Sequence, residues 1–463
     1  MQKPISALLL CAGISSRMAP LSDKIFFEYL GKSILERKIE ELIRGDEIQE
    51  IFIVGNTENI PKIKTLCSEK FPNKNFHFTV QKNLKEGMMG GVLSIADDFP
   101  NHHALLVVSS NDFVENFCIN SIISQWKESS SEIFICGKKV HSYFPGGYLE
   151  LKNEKFVEKI TEKPGEGNEP SDMINLVFHL FTQPQKLFAE LVHISSSLPL
   201  ITPLIRGVGG LWIPDEGGKT KNTRATDDAY ETALQNLFSS GVPTEVVPYS
   251  GFWQALKYPW HHLDMTDYFL STITEKYINP SALIAKTAVI NGNVIIEEGV
   301  KIFDFAVING PAYIGKNTII GNHALIRGSI VGENCGIGHT TEIARSYIRN
   351  GVSAHQSYIG DSVIENDVNF GAGTRTGNLR HDEGKILAVV KGEKVNSHKT
   401  KLGLFCGSGV KIGINTSFAP GTSVGKNSFL SPGMCITQNI PENSFVQRKF
   451  RKEEVEICEN REK

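Results

Sequence analysis

The first residues able to do chemistry stand in a loop near the start of the chain. Ala12 to Met18, AGISSRM, follows an apolar run and precedes Lys24 and a helix-like stretch. A glycine loop between a strand and a helix can turn its backbone N–H groups onto a phosphate. Arg17 and Lys24 add the positive charge that such an anion needs, so Ala12 and Gly13 open a candidate phosphate site. Taken alone, the same loop also suits an ordinary strand-to-helix turn. A second candidate lies far downstream, in the segment SAHQSYIGDSVIENDVNFGAGT over 353–374. It holds His355, whose imidazole can accept a proton near neutral pH. The plain alternative is a solvent-facing histidine in a turn, the usual place for one of 13 histidines.

The elements that must position these groups differ between the two ends of the chain. Isoleucine recurs every six residues at 284, 290, 296, 302, 308, 314, 320 and 326, between small and polar residues. After one-residue slips the pattern resumes at Val331, Ile337 and Ile343, and later as Cys406, Ile412, Phe418, Val424, Leu430 and Ile436. A period of six suits neither an amphipathic helix nor an alternating strand. It fits a coil in which each repeat makes one short strand and one turn and points one branched side chain inward. Three such strands per coil give a triangular prism hydrogen-bonded between coils about 4.8 Å apart.

Before the repeats, short apolar runs at Ile51 to Val54, Ala104 to Val108 and Ile133 to Cys136 alternate with helix-like stretches such as Ser33 to Ile43. That alternation predicts an α/β sheet with crossover helices. The expected fold class is therefore α/β plus all-β: a Rossmann-like domain over 1–258 and a linker helix over 259–279 opened by Pro259. A left-handed parallel β-helix over 280–441 and a charged tail over 442–463 complete it.

Composition narrows the function classes. A length of 463 residues allows two or more domains, and a net charge of -3 with interspersed signs argues against a nucleic-acid platform or a polybasic membrane anchor. The eight cysteines are scattered without C-x-x-C pairs, which predicts reduced thiols in a cytoplasmic protein. The run Ile5 to Cys11 superficially resembles a lipoprotein leader, but it is too short, lacks a small residue at position 10 and reads as a buried strand. No run approaches the roughly 18 apolar residues of a membrane span.

With these residues in view, the first part of the chain resembles the sugar-phosphate nucleotidyltransferase family. The resemblance rests on the glycine loop with its Arg17–Met18 pair, Lys24, and the Gly31–Lys32 step. It continues through Gln81 and Gly87 in VQKNLKEGMMGG, Asp112 in VVSSND, Gly147 in PGGY, Glu162 in TEKP and Asn175 in MINLVF. The resemblance implies base and nucleotide binding by Ala12, Gly13, Gln81 and Gly87, catalytic charge from Arg17 and Lys24, and sugar contacts from Gly147, Glu162 and Asn175. It also implies Mg²⁺ held by Asp112. The expected reaction is attack of a sugar 1-phosphate oxygen on the α-phosphorus of a nucleoside triphosphate, UTP by family expectation, in which alignment and charge neutralisation do most of the work. One position departs from the family pattern. Where a W-x-D step normally supplies a second metal carboxylate, this chain reads Trp253, Gln254, Ala255, and an alanine binds no cation. Asp227 and Asp228 fit the helical part of the pattern better than they fit a replacement.

The segment around His355, with Asn378 and the stretch NLRHDEGKI to KLGLFCGSGVKIGIN, is similar to the acetyltransferase half of a second family. That family comprises the bifunctional UDP-N-acetylglucosamine pyrophosphorylase/glucosamine-1-phosphate N-acetyltransferases, in their archaeal-type form. The resemblance implies that His355 takes the amine proton during attack on acetyl-CoA. It assigns Arg327, Tyr358, Asn369 and Asn378 to the sugar phosphate, and Ser408 to acetyl-CoA. Ala344 or Arg345 falls where the family has a phosphate-binding lysine, and Leu379 replaces a tyrosine of one branch. The tail residues Arg448, Lys449 and Arg451 suit either the CoA phosphates or a solvated charge run. The partners expected from the resemblance are small molecules: a nucleoside triphosphate, a sugar 1-phosphate and acetyl-CoA. A homotrimer is expected, with active sites between neighbouring prisms. Three functions remain open on the sequence: the bifunctional enzyme, a nucleotidyltransferase with a regulatory or oligomerising prism, and a non-catalytic sugar-nucleotide sensor.

Overall fold

The apolar runs at Ile5–Leu10 and Ala104–Ser109 lie side by side and parallel at the heart of a nine-stranded sheet. Ile48–Gly55 and Phe76–Val80 continue the sheet in parallel on one side. On the other side Met173–Phe181 runs antiparallel, followed by Ile133–Lys139, Thr244–Pro248, Phe156–Glu162 and Gly147–Lys152. Ile5–Leu10 is buried almost end to end, as its unbroken apolar run requires of a strand covered on both faces. The helix Ile34–Ile43 turns Ile34, Leu35, Ile39 and Leu42 inward, and the run that superficially resembled a leader is a core strand.

This is the computed structural model of the chain, and it describes residues 3–115, 117–197 and 228–448. It divides into two units, Met1–Ile14 with Ile34–Ala255, and Ser15–Ser33 with Leu256–Lys463. The segment Ser15–Ser33, expected with the first domain, thus groups with the second.

The second unit is the prism. Its short strands stack into three parallel sheets of eight, nine and eight strands, the three-faced architecture of the left-handed β-helix expected from the six-residue period. The first face contains Val294–Ile296 and Tyr347–Ile348. The second contains Lys301–Ile302, Ser353–Ala354 and Asn369–Phe370, and the third Val307–Asn309, Leu325–Arg327 and Tyr358–Gly360. Ile290, Ile308, Ile326, Ile343 and Ile359 lie in one register column, and all but the first are fully buried. The linker helix is shorter than expected, His261–Ser271, because Tyr277–Ile278 already pairs with the first coils. At the far end Phe445–Val446 adds a strand beyond the expected limit of the repeats.

The one-residue slips have a structural cause. At four corners the chain turns in five residues instead of six, and a serine with a buried backbone closes each. Ser329, Ser346, Ser357 and Ser362 donate to the carbonyls of Arg327, Ala344, His355 and Gly360 at 2.8, 2.9, 2.9 and 2.8 Å. The residue before each serine, Gly328, Arg345, Gln356 or Asp361, takes a left-handed φ of 54, 47, 47 or 50°, a conformation that costs a non-glycine residue energy. Stacked serines also cap one another: Ser346 N donates to Ser329 Oγ and Ser362 N to Ser346 Oγ, at 3.0 and 3.1 Å. The later gap in the repeat is an excursion. Val363–Ile364 pairs directly with Phe405–Cys406, and the chain between Arg375–Thr376 and Phe405 leaves the repeat and forms a hairpin of Leu387–Val390 and Glu393–Asn396.

Ser15–Ser33 is tied to the prism by a buried ion pair. Glu365 accepts from Ser22 N, Ser22 Oγ and Arg349 Nη1 at 2.7, 2.6 and 2.8 Å. Arg349 also donates to the Phe26 carbonyl at 3.0 Å and covers the Phe27 ring at 4.6 Å. Tyr347 Oη bonds both the N–H and the carbonyl of Glu28.

The serine corners predict a specific cost. Ser346→Ala removes the acceptor of the buried Ser362 N–H, which should lower stability by about 1–3 kcal/mol. The measurement is denaturant unfolding of the full chain beside the wild type.

Candidate functional site

In the first unit the antiparallel pair Trp253–Ala255 and Asp112–Val114 sets Ala255 directly across from Asp112. The position where a second carboxylate was expected therefore does face Asp112, and it holds a buried methyl group. Gly13 lies beside Asn111, since a Cβ built on it would stand 3.9 Å from Asn111 Oδ1. The Ala12 carbonyl accepts from Asn56 at 3.1 Å, which pins the loop after the first strand. Gln81 donates to the Gly87 carbonyl at 2.9 Å, so those two expected base-site residues come together. Gly87 has a φ of 54° at the start of the helix Gly87–Leu93. Arg17 and Lys24 belong to the second unit; Arg17 is exposed, and Lys24 is buried with its Nζ donating to the Leu256 carbonyl at 2.8 Å. No cluster of three or more metal-ligating side chains occurs among the described residues.

The expected sugar residues converge. Gly147 pairs with Glu162 across two antiparallel strands, and Ile174 pairs with Tyr148, so one step along each strand brings Gly147 beside Asn175. A Cβ on Gly147 would stand 2.8 Å from Glu162 Oε2; only glycine leaves the carboxylate its place there. Lys163 bridges Glu162 and Asp228 at 3.3 and 3.1 Å. Burial, with the nearby Glu162 charge, raises the Glu231 carboxyl to about 7. Asp227 lies outside the described residues, and Asp228 is engaged by Lys163 rather than turned toward a metal. Sequence reasoning missed His179 and Tyr230, which bond behind Asn175 at 2.8 Å each. Their signal was a histidine inside an otherwise apolar strand.

In the second unit the third face carries Arg327, Glu342, Tyr358 and Asn378. Arg327 sends both Nε and Nη2 to Glu342 Oε1 at 2.9 and 2.7 Å, and Arg345 grips Asp361 with two bonds of 2.7 Å. The Asp361 bond, ahead of the other influences, raises the Arg345 guanidinium above its ordinary range. Asn378 Nδ2 donates to Tyr358 Oη at 3.1 Å and also to Asp361. Gly360 makes room for them, because a Cβ there would meet Tyr358 Oη at 2.5 Å and Asn378 Nδ2 at 2.9 Å.

His355 occupies the corner between the second and third faces and is exposed. The strand register aligns it with Gly338 and Gly371 in the adjacent coils, and Gly371 with Gly413. The imidazole therefore interrupts a column of glycines, and a Cβ on Gly338 would stand 3.2 Å from its Nδ1. That break in the column is a signal readable in the sequence. Two expected residues lie elsewhere. Asn369 is on the second face in line with Ser353 and Lys411, and Ser408 follows Phe405–Cys406 of the first face, its Oγ directed at Glu365 at 3.4 Å. On one chain Arg327 and Asn378 thus lie at the end of the third face away from His355, in register with Gly360 and Asp361, while Asn369 lies two residues before the Gly371 that stacks on His355. Arg448 is exposed, and Lys449 and Arg451 lie outside the described residues.

Residues 6–196 match the family described as Nucleotidyl transferase, and residues 272–375 the one described as GMPPB C-terminal domain. A protein of Sulfurisphaera tokodaii named bifunctional sugar-1-phosphate nucleotidylyltransferase/acetyltransferase is 31% identical over 448 residues, covering 96% of this chain and 100% of that one. The bifunctional protein GlmU of Methanococcus vannielii is 29% identical, over 96% of this chain and 98% of its own. Its namesake in Methanocaldococcus jannaschii is 29% identical, over 97% and 100%.

The alanine facing Asp112 makes a direct prediction. Ala255→Asp should tighten Mn²⁺ binding by about tenfold or more, since divalent affinity follows the number of charged ligands. Titration calorimetry with Mn²⁺ on both proteins measures it; unchanged affinity would mean that position 255 does not border the cation.

Proposed function

Because the chain belongs to the family of bifunctional sugar-1-phosphate nucleotidylyltransferase/acetyltransferases, we propose that it makes a nucleotide sugar in two steps. It acetylates an amino-sugar 1-phosphate from acetyl-CoA and transfers a nucleotidyl group from UTP to the acetylated sugar 1-phosphate. The observation that carries the first step is His355, the imidazole that interrupts a column of glycines at the corner where the third face begins, the face that also carries Arg327 and Tyr358.

In the acetyl transfer the sugar amine attacks the thioester carbonyl, the new C–N bond forms, the C–S bond breaks, and CoA leaves as the thiol. His355 takes the amine proton. Arg327 and Arg345 are held in place by Glu342 and Asp361, as forks that can turn to the sugar phosphate. The working form is a homotrimer with active sites between neighbouring prisms, in which Asn369 orients the sugar and Ser408 binds acetyl-CoA. In the nucleotidyl transfer a sugar phosphate oxygen forms a bond to the α-phosphorus and pyrophosphate departs. Arg17 and Lys24 screen the triphosphate, Gln81 and Gly87 hold the base, and Gly147, Glu162 and Asn175 hold the sugar. Asp112 is the residue to hold Mg²⁺, which neutralises charge between the reacting phosphates when bound. A single carboxylate fits that ion, because Mg²⁺ completes its shell with water and substrate oxygens. With Ala255 opposite, the grip is weaker than a pair of carboxylates would give. Among the described residues no helix is long and apolar enough to cross a membrane, and the free cysteines support a cytoplasmic setting.

A paired assay tests this reading. Thiol release is followed from acetyl-CoA with glucosamine 1-phosphate, and pyrophosphate release from UTP with N-acetylglucosamine 1-phosphate. His355→Ala should cut thiol release by about 10²–10⁴-fold and spare pyrophosphate release. Asp112→Ala should do the reverse. Thiol release that survives His355→Ala overturns the acetyltransferase assignment.

A further inference from the structure

Asn175 sits on a strand with a local irregularity. Met173–Phe181 pairs regularly with Ile133–Lys139 up to Leu176, opposite Cys136, and then resumes with His179 opposite Ile135. Val177 and Phe178 are skipped in this ladder, although Phe178 still pairs with Val108 on the other side, and across the bulge residues four apart in sequence meet. His179 Nε2 lies 2.8 Å from Asn175 Oδ1, and His179 Nδ1 lies 2.8 Å from Tyr230 Oη. His179 and Tyr230 stack with their rings 6° from parallel, and both are shut off from solvent.

The proton positions in this chain follow from its members. Tyr230 is a phenol that burial holds in its protonated form, so its O–H must donate, and the acceptor beside it among the described residues is His179 Nδ1. Burial lowers His179 to about 3, which leaves the ring neutral with a single N–H. With Nδ1 accepting, that hydrogen is on Nε2, 2.8 Å from Asn175 Oδ1, with the Leu176 backbone as a further hydrogen-bond partner of the ring. The Asn175 oxygen is therefore occupied from behind. Its Nδ2, on a half-exposed residue, has no partner among the described residues.

We propose that His179 is a positioning residue for the nucleotidyl reaction. Through Tyr230 and His179 the protein presents Asn175 with its two N–H donors toward the sugar and its carbonyl turned away. Beside it, Glu162 over the bare Gly147 presents only acceptors. The two together read a donor–acceptor pattern: a hydroxyl for Glu162 and a carbonyl oxygen for Asn175. A sugar 1-phosphate carrying an N-acyl group supplies both, whereas the free amine, protonated at neutral pH, offers Asn175 no acceptor. The assignment rests on the reading of Glu162 and Asn175 as the sugar site.

The experiment compares pyrophosphate release with N-acetylglucosamine 1-phosphate and with glucosamine 1-phosphate in the full chain, for wild type, Asn175→Ala, His179→Phe and His179→Gln. In His179→Phe the amide loses its anchor. The preference for the acetylated sugar, as a ratio of kcat/KM, should fall about tenfold, the worth of one oriented hydrogen bond. The change should appear in KM for the sugar, with KM for UTP within about twofold. His179→Gln keeps a donor for Asn175 and an acceptor for Tyr230 and should retain most of the preference. A general loss of structure would instead depress both sugars and UTP together, and thermal unfolding of each variant identifies it. If the wild type prefers the acetylated sugar, Asn175→Ala abolishes the preference and His179→Phe leaves it intact, the positioning role is wrong. If Asn175→Ala changes nothing in an active enzyme, the sugar-site reading fails instead.

Discussion

Every coil of the prism hangs on backbone hydrogen bonds to the coils on either side, so a corner can change length only if the N–H and carbonyl groups it displaces find new partners. The buried serines are those partners. Where the turn loses a residue, a serine hydroxyl takes up the carbonyl two residues back, and in the stacked positions it also accepts the N–H of the next serine. Left-handed residues occur at corners of both lengths, among them Phe305 and Asn317 at six-residue turns and Arg345 and Asp361 at five-residue ones. Arg345 and Asp361 are themselves left-handed corner residues and bind each other, while His355 precedes the left-handed Gln356 and has its carbonyl held by Ser357. What sets the five-residue corners apart is the serine closure, which fixes the carbonyl of the residue two before it.

Charge is handled differently on the two sides of the prism. Between the first face and Ser15–Ser33, Arg349 and Glu365 are buried together, and their remaining hydrogen-bonding groups are taken by Ser22 and the Phe26 carbonyl. Buried ions persist when every lone pair and proton is matched, and this pair is matched closely. On the third face the arginines Arg327 and Arg345 are also paired but half open to solvent. The Arg327–Glu342 pair is open on both partners and contributes little to stability, whereas Arg345 holds a buried Asp361. The same bond chemistry is closed off from solvent in one place and partly open to it in the other.

The first unit uses strand register in a comparable way. Antiparallel pairing puts Ala255 across from Asp112 and Glu162 across from Gly147, and a bulge carries His179 under Asn175. On the proposed function, this register would leave the cation one carboxylate, Asp112, and give the sugar the amide of Asn175. Burial sets protonation in that cluster: His179 stays neutral, Tyr230 keeps its proton, and Glu231 is raised toward neutrality.

The six-residue spacing of isoleucine was enough to establish the prism, because each inward position tolerates only a branched or small side chain and the period of the pattern is the period of the coil. The apolar runs identified the strands of the first sheet for the same reason, and the loss of a carboxylate at Ala255 could be read directly. His355, too, stood out by its segment. The sequence could not show why the period slips, since a serine that closes a corner looks like any other serine until the carbonyl it binds is located. Nor could it show the partners of Arg327, Arg345 and Asn175, or that Ser15–Ser33 groups with the prism. Those contacts join residues from 4 to 319 positions apart and depend on register, burial and corner geometry, which arise only when the chain has folded.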